Sequence, residues 1–134
     1  MTDSPDIVFL GSDDSASLAL PFSEAVRVGD LLFLSGQIGN LPGTMQLVPG
    51  GIVAQTHQTL RNIAAVLERH GSSLDRVVKC TVFIADIAEW PAMNEVYKTY
   101  FDASPPARSA LGANGLALGA LLEIECIAVL APKH

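Results

Sequence analysis

The chain has 134 residues, 49% of them hydrophobic, enough for one domain with a substantial core. Eight Lys and Arg against fourteen Asp and Glu give a formal charge of −6, which repels polyanions and argues against nucleic acid as a partner. No apolar run reaches membrane-spanning length, and the acidic start Met1-Thr2-Asp3-Ser4-Pro5-Asp6 lacks the basic and then apolar pattern of an export signal, so a soluble, cytoplasmic protein with no membrane partner is expected.

The first twenty residues mix Asp, Ser and Pro around the short apolar patch Ile7-Val8-Phe9-Leu10 and are expected to form a loose N-terminal arm or an edge strand. Ala25-Val26-Arg27-Val28, a Gly29-Asp30 step and Leu31-Leu32-Phe33-Leu34-Ser35 read as a hairpin. Between Gly39 and Gly51 four Gly and two Pro punctuate a loop. Thr56, Leu60, Ile63, Ala64 and Leu67 then recur at helical spacing and Gly71 supplies a stop, which predicts a helix from about Ile52 to about His70. Val77 to Ile84, rich in β-branched and aromatic residues, reads as a strand.

A second helix begins around Pro91, lines one side with Met93, Val96, Tyr97, Tyr100 and Phe101, and cannot pass Pro105-Pro106. Two more strands, about Ala107 to Ala113 and Leu121 to Leu130, follow, joined by a turn containing Asn114-Gly115. Strand pair, helix, strand, helix, strand pair suits a single α+β domain over residues 1–134, a sheet with both helices on one face. The strands carry more apolar positions than two helices can cover, so burial of the other face against further copies of the chain is expected.

Cys80 and Cys126 lie inside apolar strand runs and read as buried, reduced thiols. His57, His70 and His134 are too scattered to propose ligands, and no metal and no cofactor is expected. The informative polar residues are Arg108, in Pro105-Pro106-Ala107-Arg108-Ser109, and Glu123, in Leu122-Glu123-Ile124-Glu125, on what read as neighbouring strands. A guanidinium binds a carboxylate through a planar fork of donors, and a nearby carboxylate can hold or deprotonate a water. The same pair also suits a structural cross-strand ion pair. Strand parity puts Glu125 on the face of Glu123, where each charge resists ionisation of the other and Arg108 beside Glu123 would counter that. Gly36, in Ser35-Gly36-Gln37, ends a strand and lets a ligand approach the backbone, or simply makes a bend.

Seven segments in order resemble the RidA/YjgF family of reactive-imine deaminases, also labelled endoribonuclease L-PSP proteins, over nearly the whole chain. They are Pro21-Phe22-Ser23-Glu24-Ala25-Val26, Leu34-Ser35-Gly36-Gln37-Ile38, Gln55-Thr56 with Leu60-Arg61-Asn62-Ile63, Val78-Lys79-Cys80-Thr81-Val82-Phe83, Met93-Asn94-Glu95-Val96-Tyr97, Pro106-Ala107-Arg108-Ser109, and Gly119-Ala120-Leu121-Leu122-Glu123-Ile124-Glu125. The resemblance implies a chorismate-mutase-like fold, assembled as a homotrimer with sites between subunits. It further implies hydrolysis of small 2-imino or enamine acids such as 2-aminoacrylate and 2-iminobutyrate, with Arg108 holding the substrate carboxylate and Glu123 handling water. Asn94 resembles the helix Asn that relatives place near that site. Two positions depart from the pattern: Phe22 stands where relatives often have Tyr, and Ala110 where they often have Cys, which bears on substrate preference. Alternatives within the same resemblance are a binding or sensing module without turnover, an RNA-acting protein and a chaperone.

Overall fold

A computed structural model describes residues 6–11 and 20–133. The elements are β1 (Ile7–Leu10), β2 (Ala25–Val28), β3 (Leu31–Leu34), α1 (Gly51–Arg69), β4 (Val77–Ile84), α2 (Trp90–Tyr100), β5 (Ala107–Gly112) and β6 (Leu122–Val129). Of the N-terminal arm, Ile7–Leu10 is an edge strand, while residues 1–5 and 12–19 lie outside the described residues. The expected hairpin is present: Val28 pairs with Leu31, and Gly29 takes the positive φ of 58° that the first position of a two-residue turn favours. Both helices fall within a residue or so of the expected bounds.

The strands form one sheet in the order β1-β2-β3-β6-β4-β5. All neighbours are antiparallel except β4 and β5, which run parallel across the α2 crossover. The closing strands are therefore not the pair expected. Because α2 carries the chain back, β5 joins β4 on one edge, and the 113–121 connection then takes β6 to the other edge, between β3 and β4. Gly115 makes its turn at a φ of 106°, but within a crossing loop and not a hairpin.

Alternation along the strands sorts the two faces. Leu32, Leu34, Cys80, Val82, Ile84, Leu122, Ile124, Cys126 and Ala128 form one buried core with Leu60, Ile63, Leu67, Met93 and Tyr97 from the helices. Cys80 and Cys126 face each other across β4 and β6 as unbridged thiols, Sγ to Sγ 3.2 Å. The opposite face carries Leu31, Phe33, Glu123, Glu125, Lys79 and Thr81. Phe33 is 40% exposed and Phe9, on β1, 72%. The apolar positions thus divide, and those of β4 and β6 that face inward are already covered by the helices.

Polar bonds tie α1 to the loops that flank it. Asn62 of α1 donates through Nδ2 to the Ile38 and Asn40 carbonyls, each at 3.0 Å, and Gln55 Oε1 accepts from the Leu121 N–H at 2.9 Å. At the end of α1, Arg69 and His70 close on the buried Glu24: Arg69 Nη2 reaches Oε1 at 2.5 Å and His70 Nε2 reaches Oε2 at 2.7 Å. No helix of the described residues is long and apolar enough to cross a membrane.

Burial pushes the Glu24 pKa up, but hydrogen bonds and charges from Arg69 and His70 outweigh it and hold the carboxyl below the ordinary glutamate range. A carboxylate depressed in the folded state stabilises the fold above its unfolded pKa, and that contribution is lost as pH falls through the folded pKa. Glu24→Gln is therefore expected to destabilise the protein by about 2 kcal/mol at neutral pH, less than for a fully buried pair because Arg69 is partly solvated. The gap from wild type, measured by chemical denaturation across pH, is expected to narrow below about pH 4.

Candidate active site

Two clusters hold all of the residues expected at a site, and they do not coincide. The first is a cleft of about 360 Å³ at the start of β6, lined by Phe22, Gly36, Gln37, Ile38, Leu118 and Glu123, with Leu20, Asn40, Thr44, Met45 and Ala117 at its margins. Gln37 and Ile124 exchange backbone bonds of 2.8 and 3.0 Å, which seats Gly36 against β6. A Cβ built on Gly36 would collide with Glu123 Oε2 and stand 2.8 Å from Cδ. The close approach that Gly36 permits is thus that of the Glu123 side chain. Ser35 Oγ donates to the Ser23 carbonyl at 2.6 Å and holds the Phe22–Glu24 segment beside the cleft.

Burial, with a smaller push from the Glu125 charge, raises the Glu123 pKa above the ordinary glutamate range. The Arg108 charge expected to offset this is not beside it. Phe22 is exposed at the cleft, where its ring offers apolar surface and no hydroxyl. Leu118, also exposed there, has a left-handed backbone, φ 59° and ψ 17°, a conformation costing a side-chain-bearing residue about 1–2 kcal/mol.

The second cluster surrounds Arg108 on β5. Arg108 pairs with Cys80, whose side chain faces the helices, and so points to the helix side of the sheet. Its Nη1 donates to Asn94 Oδ1 at 2.8 Å. Its Cζ lies 4.7 Å from the Tyr97 ring centroid and 5.4 Å from that of Trp90. No carboxylate pairs with Arg108 among the described residues, and no hydrogen bond there engages its other donors. Ala110 lies two residues on, on the same face, partly buried against the core.

The expectation that Arg108 and Glu123 sit on neighbouring strands is overturned, and within one chain they share neither a pocket nor an ion pair. Strand β4 lies between theirs, and in its register Arg108 stands opposite Cys80 while Glu123 stands opposite Phe83. Two strand spacings and three residues of rise separate the Cα atoms by about 14 Å. The odd offset puts the side chains on opposite faces. Glu125 shares the face of Glu123, opposite Thr81, and is exposed.

The sequence does not mark Trp90, Tyr97 or Leu118 as site residues, and places Tyr97 only on the apolar side of α2. The first two had a signal, since Trp90, Asn94 and Tyr97 recur at i, i+4 and i+7 and share one stripe of α2. Leu118 had only its position before Gly119. No group of three or more His, Cys, Asp or Glu that could hold a metal ion occurs among the described residues.

A compact α+β domain with a crossover-linked mixed sheet, an edge-strand arginine with no carboxylate partner among the described residues and a glutamate at a cleft on the other face defines the class. Residues 14–130 match the family model described as Endoribonuclease L-PSP. Over 112 residues the chain is 45% identical to the 2-iminobutanoate/2-iminopropanoate deaminase of Mus musculus, covering 84% of this chain and 83% of the mouse protein. The crystal structure of yeast YEO7 superposes with a TM-score of 0.88 at 40% identity, over 94% of this chain and all of that one. That of the Escherichia coli YjgF gene product gives 0.82 at 31% identity, over 91% of this chain and 98% of that one. The chain belongs to the RidA/YjgF family.

Gly36→Ala is expected to fold, since the Gln37–Ile124 bonds survive, and to turn the Glu123 carboxylate out toward solvent. Its pKa, followed by carbon-13 NMR of the side-chain carboxyl, then falls back toward the ordinary value. An unchanged titration would show that the glycine does not set the carboxylate's environment.

Proposed function

We propose that the protein hydrolyses small 2-imino and enamine acids, 2-iminobutyrate and 2-aminoacrylate among them, to 2-keto acids and ammonia, with Arg108 anchoring the substrate carboxylate and Glu123 handling the water. The observation that carries this is the half-buried Arg108, which has no carboxylate partner among the described residues and donates there only to Asn94. A guanidinium so placed is a receptor for an anion brought by a ligand. The mouse relative's name supplies the substrate class.

The site is composite in this proposal, made between subunits of a homotrimer. The opposite-face placement of Arg108 and Glu123 supports assembly, because one copy cannot bring both to a four-carbon substrate. The exposed Leu31, Phe33 and Phe9 on the open face supply apolar surface for contact between copies. Gly36 and Phe22 line the Glu123 side, and Asn94 and Ala110 the Arg108 side.

In the reaction, water adds to the carbon of the protonated imine and Glu123 takes its proton. Glu123 returns that proton to the nitrogen of the tetrahedral amino alcohol, the C–N bond breaks as the carbonyl forms, and the departing ammonia takes the hydroxyl proton, so protonated imine and water become keto acid and ammonium. Such imines hydrolyse unaided, and orientation with modest acid–base help suffices. Nothing in this chemistry calls for RNA, which the charge of −6 also disfavours.

Keto-acid release from 2-iminobutyrate, generated in place by a threonine dehydratase, tests the proposal. Arg108→Ala and Glu123→Gln are each expected to lower kcat/KM at least about a hundredfold with the fold retained. Unfolding and reassembling the two variants together is expected to restore about a quarter of wild-type activity, the share of sites that draw an intact Arg and an intact Glu from different chains. No recovery would place both residues' work within one chain. No acceleration by wild type, with keto-acid binding retained, would make the protein a binding module instead.

Water activation requires ionised Glu123, so activity is expected to fall as pH drops through its raised pKa. Glu125→Gln removes a neighbouring negative charge, eases that ionisation and is expected to move the acidic limb to lower pH in the kcat/KM profile.

A further inference from the structure

The Arg108 cluster contains more than an arginine and its asparagine. Trp90, Asn94 and Tyr97 lie on one stripe of α2, and all three meet the same guanidinium. Trp90 and Tyr97 are two helical turns apart, about 10 Å along the axis. Centroid distances of 5.4 and 4.7 Å to Cζ match a guanidinium seated between the two rings. Asn94, midway between them, takes one N–H at 2.8 Å. The Tyr97 ring is packed in the core, where its neighbour Phe101 lies at a centroid distance of 4.8 Å, so it is a fixed surface. Trp90, 36% exposed, is the outer wall.

We infer that Trp90 and Tyr97 form an aromatic clamp that fixes the plane of the Arg108 guanidinium before substrate arrives, making Trp90 a positioning residue for carboxylate recognition. A guanidinium held flat between the two rings, with one N–H on Asn94, would aim its remaining donors along one edge, the geometry a carboxylate fork needs. An arginine on an edge strand would otherwise sample many rotamers, and ordering it on binding would cost affinity. Rings that attract the cation while leaving its edge donors unused favour the aligned state. A lysine at position 108 could not use such a slot, because the slot suits a plane and not a point charge.

This inference rests on Arg108 as the carboxylate anchor, and the test separates the two. The probe is 2-oxobutanoate, the keto acid of the proposed reaction, with its Kd followed by NMR shift changes on the assembled protein. Tyr97 is too deep in the core for a clean variant, so Trp90 is substituted. Trp90→Leu is expected to weaken binding about tenfold, while kcat for 2-iminobutyrate stays within about twofold and KM rises. Trp90→Phe keeps a ring and is expected to restore most of the loss. In an Arg108→Ala background Trp90→Leu is expected to change nothing further, because its effect runs through the guanidinium.

Equal losses in both backgrounds, or none in either, overturn the clamp. Wild type that binds 2-oxobutanoate without turning over the imine removes the deaminase proposal and leaves the clamp to the binding cycle, which decides it. Wild type that binds no keto acid overturns the clamp, while turnover of the imine decides the deaminase proposal separately.

Discussion

The architecture depends on where β6 goes. Once α2 has carried the chain across the sheet to lay β5 parallel to β4, one edge of β4 is occupied, and the last strand can reach the sheet centre only between β3 and β4. There it joins the N-terminal hairpin to the crossover unit through backbone bonds on both sides, and its inward residues Leu122, Ile124, Cys126 and Ala128 are all buried. The helices pack over what results. Every functional placement follows from this one pairing, because it sets β5 at an edge and puts β4 between Arg108 and Glu123.

That separation gives the two charged groups different surroundings. Glu123 is half-buried beside Gly36 and near another carboxylate, and burial, with a smaller push from Glu125, raises its pKa above the ordinary glutamate range. Arg108 keeps its charge and is held by neutral partners, an amide oxygen and two rings, none of which consumes its capacity to bind an anion. Had the two been neighbours, each would have neutralised the other. A salt bridge would stand where a binding site is wanted.

Much of this was legible from the residues alone, and what was not has a common cause. The β2–β3 hairpin and both helices are local features written in turn glycines and in periods of two and 3.6. Arg108 and Glu123 stood out through their segments. Their mutual position did not, since it depends on whether β6 pairs with β5 or with β4, a non-local choice that no periodicity records. The role of Gly36 was half visible: its small size signalled a close approach, but only the sheet register reveals that Glu123 is what approaches. Trp90 and Tyr97 were hidden differently. Each reads as an ordinary aromatic of a helix, and they become a pair only when Arg108 arrives between them from β5.

The two departures from the family pattern fall on different halves of the site, which bears on how they act. Phe22 faces the Glu123 cleft, where a missing hydroxyl alters contacts to water or substrate and a bare ring adds apolar surface beside Leu118. Ala110 lies on the Arg108 side, on the strand that presents the guanidinium, where a small side chain leaves room next to the anchor without touching its charge. Neither change removes Arg108, its neighbours Trp90, Asn94 and Tyr97, or Glu123. On the proposed mechanism, selectivity would vary in the walls that meet a substrate's side chain, while Arg108 and Glu123 are both retained. For a reaction that proceeds without a catalyst, this is the economical place to vary, because a wall that fits a different imine redirects the enzyme at little cost to the modest acceleration required.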